Sequence, residues 1–309
     1  MDRFRTFVVA DRNVERFARR LYPDSPMLLI EASERTKTLE TVSRTARWLL
    51  SEGADRESLL VAVGGGCTTD LCGFVASVYM RGMRYASHPT TLLAMVDAAI
   101  GGKTGVNLDG FKNMLGSFKQ PYFIKPVYDA LETLPDREYR SGVAEMLKTF
   151  LIGDARSYEE AVNLFSKVPR PPLDKLKALI GDAAGVKLGI VEKDTYEKDI
   201  RRTLNLGHTV GHAIEWWQAQ DDTRPQFSHG EAVSIGIIEV ARKSEELGLA
   251  CGGLAESLKA DFASCGLPTE LPCPLEDLEP AIRADKKSEG GRVRWVLIRK
   301  PGKVEIRAL

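Results

Sequence analysis

Three of the four histidines in the chain lie between positions 208 and 229, and histidine is a common ligand of metal ions. His208 and His212 are four residues apart, so on a helix they share one face. His229 would come from the start of the next helix. Imidazoles from two neighbouring helices can converge on a divalent ion when a carboxylate joins them. The spacing predicts a metal site, and the alternative is histidines that only pack in the interior.

Glu145, in the segment VAEMLKTF, is the acidic residue that best completes such a site. Lys148 lies one helical turn further on and would adjoin the same face. Arg201 and Asn205 precede the histidines at helical spacing, which would place them on one wall of a polar cavity. Lys187 could join this wall, or it could belong to a solvated surface.

A glycine-rich segment, Gly64–Asp70 (GGGCTTD), follows the apolar run LLVAV. Glycines at the carboxyl end of a strand allow the backbone to approach a pyrophosphate, and the next helix offers amide donors to it. Thr69 occupies the third glycine position of the GxGxxG pattern, so that pattern is incomplete. The segment is therefore either a dinucleotide-binding loop or only a tight turn.

A second glycine-containing segment, Pro89–Asn107, includes GGKT. Asp97 stands where a phosphate-binding P-loop needs glycine, which argues against a nucleoside triphosphatase. Lys103 and the pair Lys112-Asn113 remain, next to glycine turns. They predict an anion-binding surface, with solvated loop lysines as the alternative.

The overall composition excludes several classes of protein. The 309 residues include 43 Lys+Arg and 43 Asp+Glu, so the formal net charge is zero, which argues against a nucleic-acid partner. No apolar run approaches the roughly 18–20 residues that cross a bilayer, and the charged N-terminus lacks the features of a signal peptide. We therefore expect no membrane partner and a cytoplasmic location. Five cysteines without a CxxC pair predict reduced thiols with no chemical role.

Residues 1–135 are predicted to form a Rossmann-like, doubly wound α/β domain that binds a dinucleotide. Buried parallel strands are expected at Thr6–Ala10, Met27–Ile30 and Leu59–Val63, with a crossover helix at Thr38–Ser51. Residues 136–309 are predicted to form a mainly α-helical domain that binds metal and substrate. Its helices are expected at 138–152, 173–193, 206–219, 229–248 and 253–264, followed by two strands within Val293–Arg307.

Seven motifs, in order, together resemble the 3-dehydroquinate synthase family of sugar-phosphate cyclases. They are GGGxxxDxxGF (Gly64–Phe74), RG (Arg81-Gly82), PTTLLAMVDAAIGGKTGVN (Pro89–Asn107), KNMLGSFxQP (Lys112–Pro121), AEMLK (Ala144–Lys148), LNLGHTVGHAIE (Leu204–Glu215) and HGEAV (His229–Val233). The resemblance runs from about Phe7 to the final strands. It implies a dehydroquinate synthase-like fold, one divalent metal ion (zinc or cobalt), and NAD.

The resemblance also implies the role of each matching residue. The metal ligands would be Glu145, His208 and His229. The catalytic residues would be His212, Lys103, Lys148, Lys187, Arg201 and Asn205. The substrate would further contact Arg81, Lys112, Asn113 and one of Lys286 and Lys287. NAD would be bound by Asp11, Glu34, Lys37, Gly65, Gly66, Asp70, Thr90, Thr91, Asp97, Lys103 and Lys112.

The family's substrate is a small sugar phosphate, 3-deoxy-D-arabino-heptulosonate 7-phosphate, whose carboxylate and phosphate suit a pocket rich in Lys and Arg. The resemblance implies transient oxidation by NAD, elimination of phosphate, return of the hydride and intramolecular aldol closure to 3-dehydroquinate. The net reaction is that of a phosphate lyase in the shikimate pathway, which leads to chorismate and the aromatic amino acids. We also expect a homodimer.

Three alternatives remain. One is another sugar-phosphate cyclase, of the 2-deoxy-scyllo-inosose or valiolone synthase type, although Lys187, Arg201 and Asn205 favour a substrate that carries a carboxylate. The second is a metal-dependent polyol dehydrogenase, which would release NADH and usually has an aspartate in place of Glu145. The third is a non-catalytic, cofactor-binding remnant, against which the complete set of expected catalytic residues argues.

Overall fold

The computed structural model describes residues 4–109, 111–288 and 293–309, with the side chains of 285–288 outside the described part. The chain divides into two compact units, Met1–Pro135 and Asp136–Leu309. We call them the N-terminal unit and the C-terminal unit. Within the described ranges, no helix offers a stretch long and apolar enough to cross a membrane.

The N-terminal unit is built on a four-stranded parallel sheet with the order β2-β1-β3-β4. The strands are β1 (Thr6–Asp11), β2 (Met27–Ile30), β3 (Leu59–Gly64) and β4 (Arg84–Pro89). Three helices connect them: α1 (Glu15–Leu21), α2 (Leu39–Ser51) and α3 (Gly66–Val78). The predicted strands and the crossover helix are confirmed to within a residue, whereas β4 was not predicted.

Both faces of this sheet are buried, as a doubly wound fold requires. Because side chains alternate along a strand, Phe7 and Val9 pack on one face, in the core that also contains Leu49 of α2. Val8 and Ala10 pack on the opposite face, against Ala18 of α1. All four strands run in the same direction, so the segments that follow them lie along a single edge of the sheet.

An antiparallel hairpin of β5 (Lys103–Leu108) and β6 (Phe111–Phe118) follows. Lys103 begins β5 directly after Gly101 and Gly102, whose φ values of 97° and 70° agree with the predicted glycine turn. The pairing of two strands beyond this turn was not predicted. Gly105 and Gly116 are opposite each other, and a Cβ on Gly105 would meet the Leu115 carbonyl at 2.8 Å. Glycine here permits close approach of two strands and not a turn.

The C-terminal unit is mainly helical, as predicted. Its helices are α4 (Asp136–Gly153), α5 (Ala155–Phe165), α6 (Leu173–Lys193), α7 (His208–Gln218), α8 (His229–Glu246), α9 (Leu254–Ser264) and α10 (Leu275–Ser288). Two antiparallel strands, β7 (Arg294–Lys300) and β8 (Lys303–Ala308), complete it. Helices α5 and α10 were not predicted. Helix α8 packs against α4, α7 and α9, so its first residue is well placed to meet side chains from other helices.

Candidate functional site

Three helices of the C-terminal unit bring one carboxylate and two imidazoles together. Glu145 of α4, His208 of α7 and His229 of α8 each offer a ligand atom, and these atoms lie within 4.8 Å of one another. The ring centroids of His208 and His229 are 5.1 Å apart, and Nε2 of His229 is 3.6 Å from Oε1 of Glu145. Two imidazole nitrogens and a carboxylate form a ligand set suited to zinc or a similar divalent ion.

Local sequence signals fix the starts of the two helices that carry the histidines. Gly207 precedes α7 with a φ of 78°, a left-handed conformation that favours glycine. Ser228 caps α8 through a capping box with Glu231, in which each side chain accepts a hydrogen bond from the other residue's backbone N–H. His208 and His229 are therefore the first residues of well-defined helices.

Hydrogen bonds determine which nitrogen of each histidine can bind a metal. Nδ1 of His208 lies 3.1 Å from the carbonyl oxygen of Leu206, which can only accept, so Nδ1 carries the proton. Nδ1 of His229 lies 3.3 Å from Oε1 of Glu215, and its proton points to that carboxylate. In both rings the lone pair of Nε2 remains for the metal, an arrangement typical of metal-bound histidines.

The protonation equilibria of the two histidines differ. Burial, together with the nearby charges of Lys148, His229 and His212, lowers the pKa of His208 well below its usual value. His208 is therefore neutral, as a ligand must be. Desolvation also acts on His229, but the hydrogen bond to Glu215 and the charge of Glu145 outweigh it and raise the pKa of His229. A bound divalent cation would compete with the proton at this site.

Glu145 is fully buried, and Lys148 is only 1% exposed. Nζ of Lys148 lies 2.5 Å from Oε2 of Glu145, at the i, i+3 spacing that the sequence predicts. A buried carboxylate needs a cation nearby, because burial of an uncompensated charge is costly. Lys148 supplies that charge from the same helix.

His212 lies one turn beyond His208, with its ring centroid 5.2 Å from that of His208 and 6.0 Å from that of His229. A second group of potential ligands joins His212, Glu215 and His229. Because His229 belongs to both groups and uses Nδ1 toward Glu215, the group with Glu145 is the better metal site.

Arg201 and Asn205 do not continue α7, so the predicted helical spacing between Asn205 and His208 was wrong. They lie on a separate 3₁₀ turn, Ile200–Asn205, because Gly207 breaks the chain direction before the helix. Arg201 is 2% exposed, and its backbone N–H donates to Oδ2 of Asp194 at 3.1 Å. The amide of Asn205 donates to Oε1 of Glu197 at 3.1 Å.

Lys187 is also buried, on α6, so its interpretation as a solvated surface residue is wrong. Helix α6 and the turn that carries Arg201 both pack against α4, the helix of Glu145. This unit thus buries several cations in the neighbourhood of α4, which suits an anionic ligand. The side chains of Lys286 and Lys287 lie outside the described residues.

In the N-terminal unit, the candidate cofactor residues lie at the carboxyl edge of the parallel sheet. Asp11 ends β1, Gly65 and Gly66 follow β3, and Thr90 follows β4. The backbone N–H of Thr90 donates to the carbonyl of Gly64 at 3.0 Å, which ties two of these segments together. A Cβ on Gly65 would lie 2.9 Å from Thr91, so glycine is needed there for close packing. Helix α3 begins at this edge, and no side chain of its N-cap residue makes a capping hydrogen bond. Backbone N–H groups at such a helix start can bind an anion.

A polar network joins the loop after β2 to α3 and the hairpin. Nζ of Lys37 donates to Oδ2 of Asp70 at 2.5 Å and to Oδ1 of Asn113 at 2.6 Å. Desolvation opposes ionisation of Glu34, but the charge of Lys37 and the amide of Asn107 lower its pKa below the usual value. The pKa of Lys37 is raised by Asp70 and Glu34, again against desolvation. Both groups are therefore charged at neutral pH.

The remaining candidates of this unit are dispersed. Asp97 lies on a short π-helical turn, Ala94–Ala98, while Lys103 and Lys112 are exposed on the hairpin. Arg81 lies beyond the far end of α3, with a φ of 67°, at the edge of the sheet opposite the glycine-rich loop. Within this unit the structure does not bring Arg81 to the other candidates, and its role stays a prediction.

Sequence reasoning missed three residues that hold candidate side chains: Glu197, Glu215 and Asn107. Glu215 follows His212 by three residues on the same helical face, so its spacing was a usable signal. Glu197 adopts a φ of 57° in a turn. Asn107 lies on β5 and contacts Glu34, which is distant in the sequence. Neither contact has a signature at short sequence range.

Comparisons with known proteins cover nearly the whole chain. Residues 27–141 match the family model for the N-terminal part of 3-dehydroquinate synthase, and residues 142–288 match the model for its C-terminal part. A 3-dehydroquinate synthase from Dictyoglomus thermophilum is 40% identical over 91% of this chain and 78% of its own length. One from Acidithiobacillus ferrooxidans is 40% identical over 97% of this chain and 84% of its own length.

A solved structure, 2-epi-5-epi-valiolone synthase from Streptomyces hygroscopicus subsp. jinggangensis with NAD⁺ and Zn²⁺ bound, has the same fold. It superposes with a TM-score of 0.87, covers 99% of this chain and 88% of its own, and is 27% identical. The chain is thus similar both to 3-dehydroquinate synthases and, at lower identity, to a 2-epi-5-epi-valiolone synthase.

Proposed function

The chain belongs to the 3-dehydroquinate synthase family of carbon–oxygen lyases, and from this premise we propose that it is a 3-dehydroquinate synthase. It would convert 3-deoxy-D-arabino-heptulosonate 7-phosphate to 3-dehydroquinate and phosphate. The proposal rests on the close approach of potential metal-ligand atoms from Glu145, His208 and His229. It is supported by the match of the chain to both the N-terminal and the C-terminal model of that family.

The proposal includes NAD and one divalent metal ion, both present in the related valiolone synthase structure. A metal held by Glu145, His208 and His229 would supply polarisation of a substrate hydroxyl, and bound NAD would supply a reversible acceptor for a hydride. The C-terminal unit would hold the metal and the substrate, and the N-terminal unit would hold NAD. The donor set fits this metal, because both histidines present Nε2 while Nδ1 is bound to an oxygen.

Residues of this chain have distinct parts in the proposed reaction. Lys148 places its ammonium group against the buried carboxylate of Glu145 and so supplies a compensating charge for this ligand. Lys187 and Arg201 are buried cations that would bind the carboxylate and phosphate of the substrate. His212, adjacent to both ligand histidines, would assist proton transfer as phosphate leaves. In the N-terminal unit, the start of α3 would receive the pyrophosphate and Glu34 the ribose.

The test is an assay of phosphate release with the metal-loaded protein and NAD. We expect phosphate to be released from the heptulosonate phosphate in step with 3-dehydroquinate, without net NADH. Chelation of the metal should abolish the release, and reloading with zinc or cobalt should restore it.

Two outcomes would replace this proposal with another. Release of phosphate only from a sugar phosphate without a carboxylate, such as glucose 6-phosphate, would indicate a different cyclase. Steady accumulation of NADH with glycerol or another polyol would indicate a dehydrogenase.

A further inference from the structure

Asn107, near the end of β5, makes hydrogen bonds with two separate segments of the N-terminal unit. Its Nδ2 donates to the carbonyl oxygen of Glu34 at 2.8 Å and to Oε2 of the same residue at 2.9 Å. Its Oδ1 accepts from the backbone N–H of Asn113 at 2.9 Å. Only this orientation of the amide satisfies all three partners, because the Glu34 oxygens can only accept and the Asn113 N–H can only donate.

The two segments carry candidate residues for two different ligands, the cofactor and the substrate. Glu34 and Lys37 are candidate cofactor residues, whereas Asn113 is a candidate substrate contact. The backbone N–H of Asn107 also donates to the carbonyl of Lys37 at 2.8 Å. Asn107 thus holds the loop after β2 at two points.

Asn113 has a φ of 55°, a left-handed conformation that asparagine adopts more readily than most non-glycine residues, and two contacts hold it there. Asn107 holds its backbone N–H, and Nζ of Lys37 holds its side chain at 2.6 Å. Lys37 is only 3% exposed, so its bonds to Asn113 and Asp70 are shielded from water. Asn107, Asn113 and Lys37 therefore form a closed set of contacts in which each fixes the others.

We propose that Asn107 is a positioning residue that links the cofactor-side carboxylate of Glu34 to the substrate-side conformation of Asn113. This inference rests on the proposed function for the identity of the two ligands. A ligand that orders Glu34 also orders the amide of Asn107, and through it Asn113. By linkage, NAD and the anionic substrate then strengthen each other's binding by the same factor.

The first experiment tests the link to Glu34 with a double-mutant cycle in zinc-loaded, full-length protein. Asn107→Asp keeps the acceptor for the Asn113 N–H but places a second carboxylate against Glu34. We expect its dissociation constant for NAD, measured by calorimetry, to rise about tenfold, as for loss of a hydrogen bond to a charged group. When Glu34→Gln is added, the new amide at position 34 can donate to the new carboxylate at position 107. A hydrogen bond between the two side chains is then restored in the opposite direction.

The double variant should therefore bind NAD more tightly than the product of the two single effects predicts. A cycle in which the two effects are simply multiplicative would overturn the link to Glu34. Asn163→Ala, at an exposed position of α5, is the control for loss of an asparagine amide elsewhere and should leave NAD affinity unchanged.

The second experiment tests the link to Asn113. Binding of the heptulosonate phosphate is measured with and without saturating NADH, which cannot accept a hydride and so prevents turnover. In the wild type, we expect NADH to tighten substrate binding about fivefold or more, within the usual range of coupling between sites. Asn107→Ala should reduce this factor toward one, because both contacts of the amide are lost. Asn107→Asp should also reduce it, because the contact with Glu34 is lost.

An unchanged coupling factor in Asn107→Ala, or no coupling in the wild type, would overturn this part of the inference. If the wild type does not bind the heptulosonate phosphate at all, the proposed function fails instead. The NAD cycle still decides in that case whether Asn107 positions Glu34.

Discussion

Oε1 of Glu215 lies 3.3 Å from Nδ1 of His229, while Nε2 of the same ring is directed to Glu145 at 3.6 Å. The imidazole is thus held between two carboxylates, one on each nitrogen. The contact with Glu215 fixes the plane of the ring and keeps a proton on Nδ1 when a metal displaces the proton of Nε2.

We expect Glu215→Gln to weaken metal retention by about 10–100-fold, the usual effect of losing a partner that orients a ligand. Glutamine keeps the size of the side chain but removes the negative charge that favours the Nδ1 proton. Zinc affinity, measured by competition with a chelator, checks this. Glu159→Gln, exposed on α5, is the control. Equal zinc affinity in Glu215→Gln and the wild type would show that the ring needs no such partner.

The two overlapping groups of potential ligands predict different consequences for individual histidines. Because Glu145, His208 and His229 form the better site, we expect His208→Ala and His229→Ala to abolish metal retention. His212→Ala should keep the metal and lose phosphate release, since His212 lies beside the ligands without being one. Elemental analysis after gel filtration separates these outcomes. Loss of metal from His212→Ala, with retention in His208→Ala, would reverse the assignment.

The sequence predicted those parts of the fold that have a local physical signal. The strand, glycine loop and helix around Gly64–Asp70 were identified because a buried apolar run, a glycine cluster and a helical pattern follow one another. The hairpin of β5 and β6 was missed, because β6 is mostly exposed and contains few of the alternating apolar residues that mark a half-buried strand.

The site was predictable to a similar extent and for a similar reason. The spacing of His208 and His212 follows from helix geometry, and the resemblance implied Glu145 as the third ligand. The contact of Glu215 with His229 joins two helices, and that of Asn107 with Glu34 joins a strand to a distant loop. Such pairs depend on tertiary packing, about which the hydrophobic periodicity of a short segment gives no information.

Close packing of α8 on the start of α7 leads to a prediction about glycine. A Cβ on Gly236 would lie 2.1 Å from the carbonyl oxygen of Gly207, the residue immediately before His208. Because that neighbour is backbone, we expect Gly236→Ala to cost about 1–3 kcal/mol of stability and to weaken zinc binding by separating His208 from His229. Urea unfolding and chelator competition measure the two effects.

Gly181→Ala is the matched control, since Gly181 lies inside α6, where an added Cβ would meet nothing within 4 Å. There, alanine should stabilise the protein by up to about 1 kcal/mol through its higher helix propensity. Equal stability of Gly236→Ala and Gly181→Ala would show that helix propensity, and not packing against Gly207, determines the effect of alanine at position 236.

His88, the histidine without a role in the proposed chemistry, predicts a pH dependence of stability. It is 1% exposed in β4, with Nδ1 donating to the carbonyl of Lys125 at 2.8 Å and Nε2 accepting from the hydroxyl of Tyr22 at 2.9 Å. The bond with Tyr22 requires the neutral ring, because a protonated Nε2 cannot accept a hydrogen bond. Burial, and then the charge of Lys125, lower the pKa of His88 below 6.5.

A histidine whose pKa is lower in the folded than in the unfolded state binds protons preferentially when unfolded. The contribution of His88 to stability is therefore complete above pH 6.5 and is lost as the pH falls through its folded pKa. Between pH 8 and pH 5.5 we expect the free energy of unfolding to fall by up to about 1 kcal/mol more in the wild type than in His88→Asn. The asparagine keeps a donor for the carbonyl of Lys125 but does not titrate. Urea unfolding of both proteins at the two pH values gives this difference, in which the histidines of the metal site cancel. Parallel losses in the two proteins would show that His88 does not titrate in this range.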